Sequence, residues 1–190
     1  MKSNYYAMLS RMKNIYRWGL MRNTKRESLS EHSFEVALIA HALGVINNER
    51  LGGDIDANLC AVAALFHDTS EIITGDMPTP VKYHNPEIRD AYKKVEKVAE
   101  EKLISMLPQD MRATFEPLYE PDEKTQKIIK AADRISALIK CIEETEMGNK
   151  EFKKAKISIE KSVHDLNMQE AEIFLSDFID GFTLTLDEQN

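Results

Sequence analysis

The sequence predicts an all-α protein folded as a single domain over residues 1–190. Long segments repeat apolar residues at spacings of three and four, the period of a helix with one buried face. Alternation of β-branched residues, the mark of strands, is scarce. Seven glycines and six prolines in 190 residues are few for a loop-rich chain. The length suits one domain with a sizeable core, and no repeat, low-complexity tract or linker divides it.

The first helix is expected over about 4–16, with Met8, Leu9, Met12, Ile15 and Tyr16 as its apolar stripe and Gly19 as a stop. A polar connector, Met21 to Ser28, leads to a second helix with Ser30 as N-cap and Glu31 in its first turn. That helix carries Phe34, Val36, Ala37, Ile39, Ala40 and Leu43 and ends before Leu51-Gly52-Gly53. A third helix starts at Asp54 or Asp56 and runs to Thr74, where Gly75 terminates it. Met77-Pro78-Thr79-Pro80 should be extended, because each proline biases its predecessor away from helix. Pro86 opens a charged amphipathic helix at N1, reaching about Leu107. A short helix fits between Pro108 and Pro121. Ile128, Ile129, Ala132, Ile135, Leu138, Ile139 and Ile142 mark a long one over 123–147, closed by Gly148-Asn149. Two more follow near 151–166 and 168–182.

Composition excludes several classes. With 43% hydrophobic and 30% charged residues the chain is not disordered. A net charge of −7, from 25 basic and 32 acidic residues, speaks against polymeric nucleic acid and membrane surfaces. It leaves room for a small phosphate held locally by arginine. No apolar run is expected to reach the ~20 residues of a membrane span, and the N-terminus lacks a signal-like apolar core, so a cytoplasmic location is expected. Cys60 and Cys141 lie in apolar helical runs without a CxxC pair and read as reduced core residues. There is no GxxxxGK[ST], GxGxxG or GxSxG.

The chemistry gathers in Ala61-Val-Ala-Ala-Leu-Phe-His67-Asp68-Thr-Ser-Glu71-Ile-Ile-Thr-Gly75-Asp76, an apolar helix ending in ionisable residues. His32 lies in the first turn of the second helix, and Asp133 interrupts an apolar helical stripe. A buried carboxylate requires a cation or several donors. Two imidazoles and two carboxylates, His32, His67, Asp68 and Asp133, form a mixed N/O ligand set. Such a set suits Mn, Fe, Co, Ni, Cu or Zn better than Mg or Ca and lacks the thiolates of a structural zinc site. His41 lies nine residues after His32, about half a revolution around the helix, and cannot face the same ion.

The order H…HD…D on successive apolar helices resembles the HD-domain metal-dependent phosphohydrolases, in which these four positions ligate a divalent metal. Arg17-Trp18, Leu20-Met21-Arg22-Asn23, Ser30-Glu31-His32-Ser33, His67-Asp68, Ser70-Glu71, Thr74-Gly75-Asp76 and Pro78-Thr79-Pro80-Val81-Lys82-Tyr83 further resemble the bacterial YfbR-type 5′-deoxynucleotidases. The specific motifs cover the first two thirds of the chain; beyond Asn149 only the general pattern matches. The resemblance implies an HD-domain helical bundle, a divalent transition metal, a homodimer, and hydrolysis of deoxyribonucleoside 5′-monophosphates.

Phosphate monoester hydrolysis needs charge neutralisation, an in-line water and a proton acceptor. Glu71 lies one turn after His67 on the same side of the helix and is assigned as general base. Arg17, Arg22 and Arg26 are all candidates for a phosphate fork. The resemblance selects Arg17, with Trp18 beside it at the substrate. It also implies that the loop Asp76, Met77, Pro78 and Thr79 holds the nucleoside and favours deoxyribose, and that His32, Asp68 and Asp133 border the substrate. A short carboxylate on a proline-stiffened loop, Asp76, is suited to accept a sugar hydroxyl. Two alternatives remain open at this level: an HD phosphohydrolase for a cyclic dinucleotide, an alarmone or a nucleoside triphosphate, and a non-catalytic nucleotide-binding regulator. The amphipathic helices after Glu123 offer apolar surface for the implied homodimer.

Overall fold

A computed structural model describes residues 2–82 and 84–189, the side chain of Thr79 excepted. The helices are α1 (Tyr5–Leu9), α2 (Leu29–Leu51), α3 (Ala57–Ala64), α4 (Glu71–Thr74), α5 (Thr79–Lys82), α6 (Pro86–Ser105), α7 (Gln109–Tyr119), α8 (Glu123–Glu146), α9 (Lys153–His164) and α10 (Gln169–Phe178). Three 3₁₀ turns, Ser10–Asn14, Lys150–Phe152 and Ile179–Thr183, extend their neighbours. Among the described residues the sole β pairing is an isolated bridge, Tyr16 with Ser28.

The centre of the molecule is the packing of α2 against α3 and α8. Val36, Ala40 and Leu43 of α2 meet Cys60, Ala63 and Ala64 of α3 and Ile128, Ile135, Leu138 and Ile139 of α8. Each fully buried Leu or Ile contributes roughly 2 kcal/mol of transfer free energy. Gly44 sets how closely α2 and α3 approach: a Cβ there would lie 2.8 Å from the Cβ of Ala57. Val163 of α9 and Ala171, Phe174 and Leu175 of α10 close the same core. A smaller cluster unites Tyr5, Leu103 and Leu107 with Phe66, Phe115 and Tyr119.

Several expected boundaries move, each for a local reason. The second helix is capped by Ser28, not Ser30. Ser28 Oγ accepts the Glu31 amide at 3.3 Å while the Glu31 carboxylate accepts the Ser28 amide at 2.7 Å, the reciprocal capping box of an S-x-x-E sequence. The first helix stops at Asn14 and not near Gly19; it is Trp18, with φ 60°, that takes the left-handed backbone. Thr79–Lys82 is a helical turn and not extended. The Pro78 carbonyl accepts the amides of Val81 and Lys82 at 2.8 and 3.0 Å, and Pro80 in a first turn loses no helical hydrogen bond. The expected Asn85–Pro86 start is seen, with Asn85 Oδ1 accepting the Ile88 amide at 2.8 Å.

One expectation about surfaces is revised. By length and composition α2 is apolar enough to cross a membrane, although no such segment was expected; more than half of that window is buried in the interior, the state of a core helix. The apolar stripe of α8 is spent on the core, while Ile157 of α9 and Phe178 of α10 are exposed as expected of the helices after Glu123. Exposed apolar side chains lie also on the outer side of α2, where Phe34, Leu38 and Val45 share one face at helical spacing.

Candidate active site

The expected third helix is broken at the point where its chemistry begins. After Ala64 the backbone tightens into i→i−3 bonds: Phe66 to Ala63, Thr69 to Phe66, Glu71 to Asp68. Two side-chain hydrogen bonds accompany this. His67 Nδ1 donates to the Ala64 carbonyl at 2.7 Å, taking the acceptor that the Asp68 amide would use in an α-helix. Thr69 Oγ1 donates to the Phe66 carbonyl at 2.8 Å and displaces the Ser70 amide in the same way. Gly75 then turns the chain at φ 75° and ψ 159°, a conformation open to glycine, and hands it to the Asp76 loop.

His32 projects from the first turn of α2, where its side chain is fully buried. Its Nδ1 lies 3.1 Å from Ser136 Oγ, and that hydroxyl donates to Glu35 Oε2 at 2.5 Å. A hydroxyl whose proton is committed to Glu35 accepts from His32, so Nδ1 is anchored there as a donor and Nε2 turns to the acids. His67 is fixed alike, because a carbonyl can only accept from its Nδ1. Both free nitrogens turn to one carboxylate oxygen: Asp68 Oδ2 is 3.6 Å from His32 Nε2 and 3.2 Å from His67 Nε2. Asp133 Oδ1, from the middle of α8, lies 3.1 Å from His32 Nε2. The donor atoms of His32, His67 and Asp68 fall within 4.8 Å of one another, a grouping that can hold a metal ion.

Arg17 reaches the cluster from the connector before α2. Its Nη1 is 3.1 Å from Asp68 Oδ2 and its Nη2 3.9 Å from Asp133 Oδ1. Arg22 pairs instead with Glu151 on the surface, and Arg26 covers the Tyr16 ring at 5.3 Å. Geometry thus separates the three arginines. Lys82 turns away to Glu96 at 2.8 Å, and His41 and His84 are exposed.

The electrostatics follow from burying many charges together. Burial alone would raise Asp68, but His67, Arg17 and His32 hold its carboxyl far below the usual range. Asp133, whose side chain is 40% exposed, is also lowered: its partial burial is outweighed by His32 and Arg17. Burial favours neutral His67, yet Asp68 beside it raises the ring to about 9. Glu71 shows the opposite balance: burial, then Asp68 and Asp76, raises it to about 9. Asp76 is raised by burial, which Arg17 and the main-chain amide of Trp18 oppose.

Buried side-chain polar atoms normally find partners. Among the described residues the exceptions include His32 Nε2, His67 Nε2, Arg17 Nε and Glu71 Oε2. Two buried imidazole Nε2 atoms without a hydrogen-bond partner, beside two ionised carboxylates, fit a divalent cation with borderline ligands, which would replace the proton that His67 otherwise carries. Thus the structure brings together His32, His67, Asp68, Asp133 and Arg17. Glu71, Asp76 and Trp18 stand within electrostatic or hydrogen-bonding reach. Met77 and Pro78 lie half-buried in the adjoining loop; the Thr79 side chain and Tyr83 lie outside the described residues.

Sequence reasoning missed Glu27, Glu35 and Ser136. The last two had a signal: Glu35 is three residues after His32 and Ser136 three after Asp133, so each shares a helix face with a predicted ligand. Glu27, in a polar connector, had none.

A family profile described as 5′-deoxynucleotidase YfbR-like matches residues 4–182. A 5′-deoxynucleotidase of Photorhabdus laumondii is 48% identical over 189 residues, covering 98% of this chain and 96% of the relative. The 5′-deoxynucleotidase YfbR of Salmonella arizonae is 47% identical over 190 residues, covering 98% and 96%. The crystal structure of an HD-domain phosphohydrolase from Listeria innocua superposes with a TM-score of 0.82 at 26% identity, covering 94% of this chain and 88% of that one. With the all-α fold and the H…HD…D cluster both in place over the matched span, this chain belongs to the YfbR-like 5′-deoxynucleotidase family.

Proposed function

We propose that the protein is a metal-dependent 5′-deoxynucleotidase that hydrolyses deoxyribonucleoside 5′-monophosphates to deoxyribonucleosides and phosphate. Family membership supports the activity. The observation that carries the chemistry is the pair of histidines, each anchored at Nδ1 and aimed by Nε2, with Arg17, at one oxygen of Asp68.

His32, His67, Asp68 and Asp133 would hold a divalent transition ion, from among Co, Mn, Cu, Zn, Ni and Fe. When bound it supplies positive charge that polarises a phosphate oxygen and offsets the negative charge of Asp68 on Glu71. Arg17 offers its guanidinium to the phosphate, a cation that does not titrate in the working range. Glu71, one turn beyond Asp68, takes the proton of the attacking water and so acts as general base. Its orphaned Oε2 supports that role, since no protein donor occupies the lone pairs. Asp76 sits against the Trp18 amide in the loop after Gly75 and accepts a hydroxyl of the sugar. Trp18, Met77, Pro78 and Thr79 border the nucleoside, and His32, Asp68 and Asp133 its phosphate end.

The test is free phosphate release from a panel of nucleotides by metal-loaded protein. Deoxyribonucleoside monophosphates should be cleaved in preference to ribonucleoside monophosphates. Release of pyrophosphate, or turnover confined to cyclic dinucleotides or alarmones, would replace this reading with another HD phosphohydrolase activity. Binding without turnover would leave the regulator.

We also infer a homodimer working in the cytoplasm. The exposed Phe34, Leu38 and Val45 face of α2 supports the first, and two free, buried cysteines fit a reducing compartment. Leu38→Lys should halve the mass measured by light scattering; an unchanged mass would remove that face from the interface.

A further inference from the structure

We propose that Glu27 is a positioning residue of the site, a single buried carboxylate that holds Arg17, Trp18 and His32 in register. The inference rests on the reading above, in which those three serve phosphate, nucleoside and metal respectively. Glu27 lies in a connector of polar residues, where an acid is ordinarily solvated, yet its side chain is only 12% exposed. Its Oε2 accepts the Trp18 indole N–H at 2.7 Å and faces Arg17 Nε at 3.7 Å. Its Oε1 lies 3.5 Å from His32 Nδ1. Its main-chain carbonyl accepts the Arg17 amide at 3.0 Å. One residue thereby touches all three groups, and two of them by their functional ends.

The physical need for it can be stated for each. Arg17 carries anions on every edge of its guanidinium: Glu27 at Nε, Asp68 at Nη1 and Asp133 at Nη2. Removing the first leaves the plane free to rotate toward the other two. Trp18 has φ 60°, an unfavourable backbone for a bulky side chain that persists only where its surroundings over-determine it. The indole is held by Glu27 on one side and by the Phe152 ring, at 5.3 Å, on the other. At His32, Glu27 Oε1 stands on the Nδ1 side next to Ser136 Oγ and helps orient the ring so that Nε2 faces Asp68 and Asp133.

Trp18 is the only tryptophan in the chain, so its fluorescence reports its own placement. The experiment compares Mn²⁺-loaded wild type, Glu27→Ala and Glu27→Gln by tryptophan emission, acrylamide quenching and titration with inorganic phosphate. Steady-state kinetics on dAMP run alongside. In Glu27→Ala the emission should shift to the red with stronger quenching, phosphate affinity should fall about tenfold, and KM should rise by a similar factor with a smaller change in kcat. Glu27→Gln keeps an acceptor for the indole but no anion for Arg17. It should retain wild-type emission while binding phosphate several-fold more weakly. Wild-type emission and phosphate affinity in a folded Glu27→Ala would overturn the proposal. Should that variant not fold, wild-type phosphate affinity in Glu27→Gln would do so. If wild type itself fails to cleave dAMP, the deoxynucleotidase reading falls, while the emission and phosphate titrations still decide the role of Glu27.

Discussion

Asp133 and Glu71 occupy the same cluster and are predicted to fail differently. Asp133 Oδ1 is 3.1 Å from His32 Nε2 and 3.9 Å from Arg17, so it belongs to the proposed cation's surroundings. Asp133→Ala should purify with little metal by elemental analysis; full occupancy would refute it as a ligand. Glu71 has a buried oxygen without a hydrogen-bond partner among the described residues. Glu71→Ala should keep metal and nucleotide binding while kcat falls by about 10²–10⁴, the usual contribution of a positioned base. Unchanged turnover would remove Glu71 from the mechanism. The residue types were legible because ionisable groups stand out in apolar helical runs. Their orientation was not. That His32 and His67 both present Nε2 depends on Ser136, whose spacing from Asp133 was its one sign in the sequence, and on the Ala64 carbonyl, which had none.

At the scale of elements the main departure is the break between α3 and α4. Periodicity over 57–74 reads as one helix because apolar spacing does not register which carbonyl each amide finds. The structure divides it where His67 and Thr69 side chains capture main-chain acceptors. Gly75 then depends on a backbone conformation that side chains with a Cβ rarely adopt, although a methyl group there would meet nothing within 4 Å. Gly75→Ala should therefore cost about 1–3 kcal/mol through strain alone. Because Asp76 follows directly, KM for deoxyribonucleoside monophosphates should rise as well. A wild-type thermal midpoint with wild-type KM would show that the turn tolerates alanine.

The whole molecule is tied together by one further acid. Glu144, near the end of α8, is 1% exposed. It accepts the amides of Thr24 and Lys25, the Asn149 side-chain amide at 2.7 Å and the Lys140 ammonium at 2.6 Å. This knot anchors the connector that carries Arg17, Trp18 and Glu27. Burial would raise the Glu144 carboxyl, but Lys140, Asn149 and the two amides hold it at about 2. A carboxyl lower in the folded than in the unfolded chain stabilises fully above its ordinary value of 4.5. That contribution, on the order of 3 kcal/mol, is lost as pH falls from there toward about 2. Glu144→Gln should accordingly be less stable than wild type in urea unfolding at pH 7, with the gap narrowing between pH 4.5 and 2. A gap independent of pH would mean that the carboxylate charge is not what stabilises.

The sequence by itself determined the helix count to a good approximation, the long core helices α2 and α8, the residue types of the cluster, and the family. Each depends on local periodicity or on residues at fixed positions in the chain, which need no knowledge of neighbours in space. The family resemblance selected Arg17 among three arginines; only the tertiary structure decided how Arg17 pairs, where the third helix breaks, which ring nitrogens the histidines turn toward the acids, and that a connector acid, Glu27, contacts Arg17, Trp18 and His32. Those outcomes depend on pairs far apart in sequence: Arg17 with Asp68, His32 with Ser136, Thr24 with Glu144. The physical reason is the cost of burying polar groups. A charge or hydrogen-bonding atom taken out of water must find a partner, and the fold selects that partner from whatever the packing of other helices brings within 3–4 Å.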